Sequence, residues 1–374
     1  METSDARVVG GHPADAAAGT RPADRAVGPT PTAVPGLLLR PVRWPEEAAS
    51  LAEISNAHRV AEGSLAILPA EGLRAFYDHL EHCDLATDLR IGEVAGRPIA
   101  YVRVEWRDER RGDRAFGTAL FRAPGAPAGT FAALLDWALA RHRANAAGVP
   151  VDGRRGVVVA ESYGADPEAT AELRARGFAD VRYAYEMVRP SLADIPERAL
   201  PAGLEVRPVE PVHLRAIFEA EVEAFSGHWG AGLEDDSDAN WQEFLADPLN
   251  RDTTLWQVAW AGDEIAGMVR PYISEEENAR HGVHRGWCEN ISTRAAWRGR
   301  GVASALIGRA LRALRERGMT EAALGVDAQN ETGALRLYET MGFRPVFRAV
   351  EWRRPLDDAP GDEPTGRPAA EAGR

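Results

Sequence analysis

The sequence predicts an α+β protein made of two tandem copies of one unit, on three observations. Segments recur at an offset of roughly 165–172 residues: "LLLRPV" (37–42) with "LEVRPV" (204–209), "VAGRPIAYV" (94–102) with "WAGDEIAGMV" (260–269), and "GTFAALLDWALA" (129–140) with "GVASALIGRALR" (301–312). The copies also close alike, "LRARGF" (173–178) and "YEMVRP" (185–190) echoing "YETMGF" (338–343) and "VEWRRP" (350–355). Within each copy, the two-residue apolar alternation of strands gives way to the longer period of an amphipathic helix. Finally, 374 residues at 45% apolar content suffice for two cores of about 150 residues each.

Residues 1–36 hold no Leu, Ile or aromatic residue and are rich in Ala, Gly, Pro and Asp, too little apolar surface to offset the entropy of ordering, so a disordered tail is expected. The first copy covers 37–189, the proline-bearing "PSLADIPERALPAG" (190–203) is a linker, and the second copy covers 204–356. A second tail is expected over 357–374. In the second copy the pattern predicts a strand (204–209), a helix (about 211–225), a polar loop, a hairpin (255–271) turning at a glycine, and a strand (286–293). A helix (302–317), a strand (320–326), a helix (331–341) and closing strands (344–354) follow. Val302, Leu306, Ala310 and Leu314 recur every fourth position, with Arg309, Arg312 and Arg315 off that line, as in a helix packed on a sheet.

A net charge of −13 and a pI near 5.3 oppose a nucleic-acid or anionic-membrane partner and favour a cationic one. Cys83 and Cys288 stand far apart without CxxC spacing, so neither a disulfide framework nor a zinc knuckle is predicted. With no long apolar run and no signal-like start, the expected location is the cytoplasm. The chain contains no lysine, and all 44 basic residues are arginine. A Walker-type phosphate loop and a Schiff-base enzyme are therefore excluded.

"AAWRGRGVASALI" (295–307) sets Arg298 and Arg300 between glycines, directly before an apolar helix. A helix start exposes unpaired N–H groups and carries about half a positive charge, so a turn entering it can hold phosphate through the backbone. Gly299 and Gly301 offer no Cβ to obstruct a pyrophosphate, Ala303 is nearly as small, and Arg294, Arg298 and Arg300 bring countercharge with no acidic residue between them. "QNETGALRLYETMGF" (329–343) follows. Together these segments resemble the GCN5-related N-acetyltransferases (GNAT), in which R/Q-x-x-G-x-G/A opens one helix and N-x-x-A-x-x-L-Y-x-x-x-G-F marks the next. Arg298, Gly301 and Ala303 match the first motif. Asn330, Ala334, Leu337, Tyr338, Gly342 and Phe343 match the second, with Ala334 one place late. The resemblance spans 204–356, and the tandem arrangement is similar to that of the mycothiol synthases.

What the resemblance implies is specific. Each copy should be a mixed, mostly antiparallel sheet flanked by helices, and acetyl-CoA the cosubstrate, with no metal. Pyrophosphate should rest on Gly299, Arg300, Gly301, Val302 and Ala303, beside Arg298 and Asn330. The pantetheine arm should run along "CENIST" (288–293), a strand splayed from its neighbour, where amides near Ile291 and Ser292 form an oxyanion hole beside Thr293. The implied acceptor is a small-molecule primary amine, and the protein a monomer or homodimer.

An alkyl amine with a pKa of about 10.4 is protonated at neutral pH, so a base is needed. Glu289 is the candidate, since strand alternation would set it on one face with Ile291 and Thr293. His228, in "AFSGHWG" (224–230) with Trp229, is a competing base in a substrate-side loop. Tyr338 matches the family's general acid. Asp235, Asp236 and Asp238 either attract a cationic amine or serve as loop and helix-start residues. In the first copy Ala126, Gly129 and Phe131 stand where the motif needs arginine and small residues, Pro127 removes an amide, and Leu173 replaces the tyrosine, so that copy is expected to be inactive. Three alternatives stay open: acetylation of an amino-sugar conjugate, a non-catalytic acyl-CoA or amine binder, and a hydrolase with Ser162 of "AESYG" as an approximate nucleophile elbow, against which the repeat assigns the segment to a strand-to-helix loop. His281 and His284 lack partners at metal-ligand spacing.

Overall fold

The structure, a computed structural model, describes residues 30–330 and 333–357. Of the tails expected over 1–36 and 357–374, residues 1–29 and 358–374 lie outside the described residues. The first half runs β1 (Thr30–Pro31), β2 (Leu37–Pro41), α1 (Ala48–Ala61), α2 (Ala70–Asp78), α3 (Leu85–Asp88), β3 (Leu89–Val94), β4 (Arg97–Asp108), β5 (Asp113–Arg122), α4 (Thr130–Ala146), β6 (Arg155–Tyr163), α5 (Pro167–Ala175) and β7 (Ala179–Arg189). The second runs β8 (Glu205–Val206), α6 (Leu214–Phe225), α7 (Asp238–Ala246), β9 (Gln257–Ala261), β10 (Glu264–Tyr272), α8 (Glu275–His281), β11 (Arg285–Thr293), α9 (Val302–Glu316), β12 (Glu321–Asp327), α10 (Ala334–Thr340) and β13 (Arg344–Pro355).

Three expectations change. Thr30 and Pro31 pair with Leu39 and Leu38, and Val34 is buried against Gly129, so order reaches back into the segment read as a tail. The strand expected over 204–209 shrinks to β8, since Pro208 has no N–H to extend the ladder. The closing segment is one strand of 12 residues.

The thirteen strands of the described residues form one sheet, ordered β1-β2-β3-β4-β5-β6-β13-β7-β12-β11-β10-β9-β8. The repeat boundaries at 189 and 204 therefore do not divide it. Each half lends its closing strand to the other: β13 pairs with β6 from Ala349↔Tyr163 to Pro355↔Val157, while β7 pairs with β12 from Ala322↔Arg189 to Asp327↔Ala184. Pairing β7 with β13 as well covers edges that each half alone would leave open.

Helices cover both faces. On one, α9 buries Val302, Leu306, Ala310 and Leu314 as the four-residue period predicts, against Val269 and Cys288. Full burial of each Leu contributes about 2 kcal/mol. Contact is so close that a Cβ on Gly286 would stand 2.3 Å from Leu314 Cδ2. On the other face, α6 packs Ile217 and Phe218 with Val258 and Met268. Among the described residues no helix is long and apolar enough to cross a membrane.

Two irregularities of β11 shape what lies between the helices. Parallel pairing with β12 runs only from Arg285↔Glu321 to Trp287↔Ala323, although both strands continue, so they splay. Opposite β10 the register slips, Arg270 facing Glu289 and Met268 facing Ser292. Asn290, at φ 50°, is the backbone kink in that bulge.

Candidate active site

The splay opens a cavity of about 460 Å³ between β11, β12, the start of α9 and α10. Ile291, Ser292 and Thr293 of β11 form one wall, with Glu289 deeper in. Arg298, Gly299, Gly301, Val302 and Ala303 form the mouth, Asn330 and Tyr338 face them, and His228 closes the side under α6. Arg300 and Trp229 do not line it. The Arg300 guanidinium sits 5.1 Å from the Trp297 ring centroid, and the Trp229 indole donates to Glu351 Oε1 at 2.9 Å, tying its loop to β13.

Helix α9 begins at Gly301, whose φ of 87° suits glycine, with no side-chain cap and no acid in its first turn. The first amide to reach a helical carbonyl is that of Ala305, on Gly301 O at 3.1 Å. The preceding first-turn amides thus face the mouth without intrahelical acceptors, a seat for an anion. Thr293 Oγ1, buried in the wall, has no hydrogen-bond partner among the described residues. Both features fit the diphosphate and polar arm of a CoA ester. The arginines are more committed than their spacing suggested. Arg294 pairs with Glu223 at 2.7 Å, brought in by α6, and Arg298 donates to the carbonyls of Thr293 (3.1 Å) and Ala224 (3.3 Å), fixing the loop between β11 and α9.

The bulge corrects one expectation. Because Arg270 faces Glu289 and Met268 faces Ser292, Glu289 shares a sheet face with Ser292 and not with Ile291 and Thr293. It also leaves Asn290 and Ile291 without ladder partners on either neighbour, one residue earlier than the expected oxyanion pair. Glu289 Oε1 accepts the Gly325 N–H at 2.9 Å, bridging the gap. Burial, aided by the charge of Glu186 and opposed by the Gly325 amide and Arg270, pushes the pKa of this carboxyl up to about 7.

Tyr338 projects from α10, its ring against Phe343 and 6% exposed. Burial and the nearby Glu289 push its phenol well above the usual range, so it keeps its proton at neutral pH. One cavity thus holds a carboxyl poised to accept a proton and a phenol poised to give one. His228 is half-buried and burial lowers its pKa, leaving it neutral beside Asp327. Asp235 accepts the Gly232 N–H at 2.9 Å, and Asp238 opens α7 behind its Ser237 cap, so both serve local structure. Sequence reasoning missed Gly325 and Asp327 in the wall. A glycine inside a strand was the available signal of close approach.

The first half closes the matching seat with its own anion. Glu168 Oε1 accepts the Gly129 N–H at 3.0 Å at the start of α4, and its other oxygen pairs with Arg122. Its parallel pair also stays zipped longer, from Asp113↔Arg155 to Thr118↔Ala160, and Tyr163 stacks on Phe121 (5.8 Å) in the gap beyond. Ser162 lies within β6, not in a loop, buried with its hydroxyl accepting the Trp352 indole at 2.9 Å, which removes the hydrolase alternative's nucleophile. His281 ends α8 and bonds Leu65 O. Among the described residues no group of three or more His, Cys, Asp or Glu is placed to hold a metal.

Sheet order, splay and uncapped helix start give the chain a tandem GNAT fold, and residues 214–343 of its second half match the Acetyltransferase (GNAT) family model. The particular relatives are as follows. A mycothiol acetyltransferase of Catenulispora acidiphila is 31% identical over 184 residues, 49% of this chain and 57% of that protein. The match thus takes in little more than half of that relative's length. A GCN5-related N-acetyltransferase from Sphaerobacter thermophilus shares the fold with a TM-score of 0.63 at 23% identity, over 86% of this chain and 96% of its own. A tandem GNAT protein from the clavulanic acid biosynthesis pathway follows at 0.60 and 16%, over 86% and 99%.

Proposed function

We propose that the chain transfers an acetyl group from acetyl-CoA to the primary amine of a small molecule, by direct attack within a ternary complex. The observation that carries this is the single cavity in which uncapped helix amides, a bulged and splayed strand, Glu289 and Tyr338 meet. Acetyl-CoA supplies the acyl thioester. First-turn amides of α9 hold its diphosphate, and unpaired β11 amides near Ile291 face the thioester oxygen. Glu289 takes a proton from the acceptor's ammonium, the neutral amine adds to the thioester carbonyl, and the C–S bond breaks as Tyr338 gives its proton to the leaving sulfur; the second proton, shed by the new amide nitrogen, restores the phenol, and Glu289 passes its own to solvent. We read the first half as inactive and the protein as a cytoplasmic monomer or homodimer.

The test is release of free CoA by the full chain from acetyl-CoA with a panel of ethanolamine, benzylamine and glucosamine. Amine-dependent release is expected. Calorimetry showing no association with CoA or acetyl-CoA would overturn the reading, while binding without release would make the chain an acyl-CoA binder. The names of the relatives favour one narrower reading, an amino-sugar conjugate of the mycothiol type as acceptor. A kcat/KM for that conjugate far above the rest of the panel would establish it.

A further inference from the structure

The exchange of closing strands brings a residue of the first half beside Gly325 in the cavity wall. Strand β7 pairs with β12 so that Glu186 stands opposite Gly325. Ladder partners point to the same face, one strand spacing of about 4.8 Å apart. Glu289 covers that face too, since a Cβ on Gly325 would lie 3.5 Å from its Oε1. Two carboxylates therefore flank an exposed residue that has no side chain.

Glu186 is held in place by neutral donors. Ser64 Oγ donates to Oε1 at 2.6 Å and the Leu65 N–H to Oε2 at 2.7 Å, both from the loop after α1. The groups facing Glu289 are Arg270 and Tyr272 on β10, Cys288 on its own strand, Tyr338 on α10, the Gly325 amide on β12 and Glu186 on β7. Arg270, the cation among them, is already engaged by Glu221 (2.9 Å) and Asn250 (3.0 Å). Between the carboxylates negative charge is in excess, and a bound cation would relieve it.

Resting on the acetyltransferase reading, we propose that Glu186 is an acceptor-binding residue contributed by the first half, which with Glu289 forms a two-carboxylate seat over Gly325 for the acceptor's ammonium. The first half is then part of the active site, although its own ester seat is closed.

Two measurements on the full chain test this. In a carboxyl-13C NMR titration, with the Glu289 signal assigned by its loss in Glu289→Gln, Glu186→Gln should move the Glu289 midpoint down by roughly one unit. In steady-state kinetics with benzylamine, the same variant should raise the amine KM at least about fivefold and leave the acetyl-CoA KM unchanged. An unmoved Glu289 midpoint overturns the proposal whatever the activity. A moved midpoint with unchanged amine KM overturns the binding role. A moved midpoint in a protein that acetylates no amine refutes the acetyltransferase reading instead, and the two failures stay distinguishable. Should Glu186→Gln not fold, Ser64→Ala carries the test by loosening the carboxylate while keeping its charge. It should raise the benzylamine KM alone, and an unchanged KM counts against the seat.

Discussion

Glu289 accepts the Gly325 N–H at 2.9 Å across a gap where β11 and β12 have stopped pairing. That bond fixes a half-buried carboxylate in the wall of the cavity, and its pKa, pushed up to about 7, sets a pH window. In the proposed role of base Glu289 must be deprotonated, so kcat/KM should rise through about pH 7, with about a tenth of the plateau left at pH 6. The amine's own ionisation adds a separate slope. Glu289→Gln should abolish the break near pH 7 while keeping that slope, and a pH–rate profile of both proteins checks it.

The same shift has a stability consequence. The folded pKa lies above the unfolded value, so ionising Glu289 destabilises the fold, an effect absent below about pH 4 and complete above about pH 7. Glu289→Gln should be more stable than the parent by on the order of 2 kcal/mol at pH 8, with no gain at pH 4. Urea unfolding at the two pH values measures the difference.

Tyr338 is buried and protonated, and its hydroxyl is the only part that Tyr338→Phe removes. Turnover should fall by about 10²–10⁴ while acetyl-CoA affinity stays nearly the same. Unchanged turnover would exclude it as the acid.

Gly301 holds φ at 87° where α9 meets the mouth, and a Cβ there would find only Ser304 Oγ, 3.8 Å away. Gly301→Val should cost about 1–2 kcal/mol of stability through backbone strain. It should also weaken acetyl-CoA binding by about tenfold or more, because the side chain stands over the amides. Calorimetry and thermal unfolding separate the two effects.

Glu168 occupies the first half's helix start, so equilibrium dialysis should find one acetyl-CoA equivalent per chain. Glu168→Ala should not create a second site, because Pro127 still lacks an amide and Phe131 still stands where the motif needs a small residue. Two equivalents in the parent protein would show that the first half binds the ester.

Much of the molecule was legible in order along the chain. The repeat, the hairpins and α9 with its four-residue apolar line are periodic, and period is local information. The arginine-glycine turn and the Tyr338 helix were readable as motifs because glycine and small residues there answer a local need for backbone access. The face of Glu289 was misread, since a bulge of one residue reverses alternation and Asn290 carries no sequence mark of its φ of 50°. The pairing of Arg294 with Glu223 was equally hidden, lying 71 residues apart.

The sequence by itself determined most element types, though not the short helices α7 and α8, together with the twofold repeat and the residue chemistry of the turn, all set by neighbours within a few positions. Tertiary structure alone decided that β7 and β13 change places, that Glu168 plugs one helix start while the other stays open, and that Glu186 arrives beside Glu289. Those outcomes depend on edges and charges that must find partners across the sheet, and no local pattern names the partner.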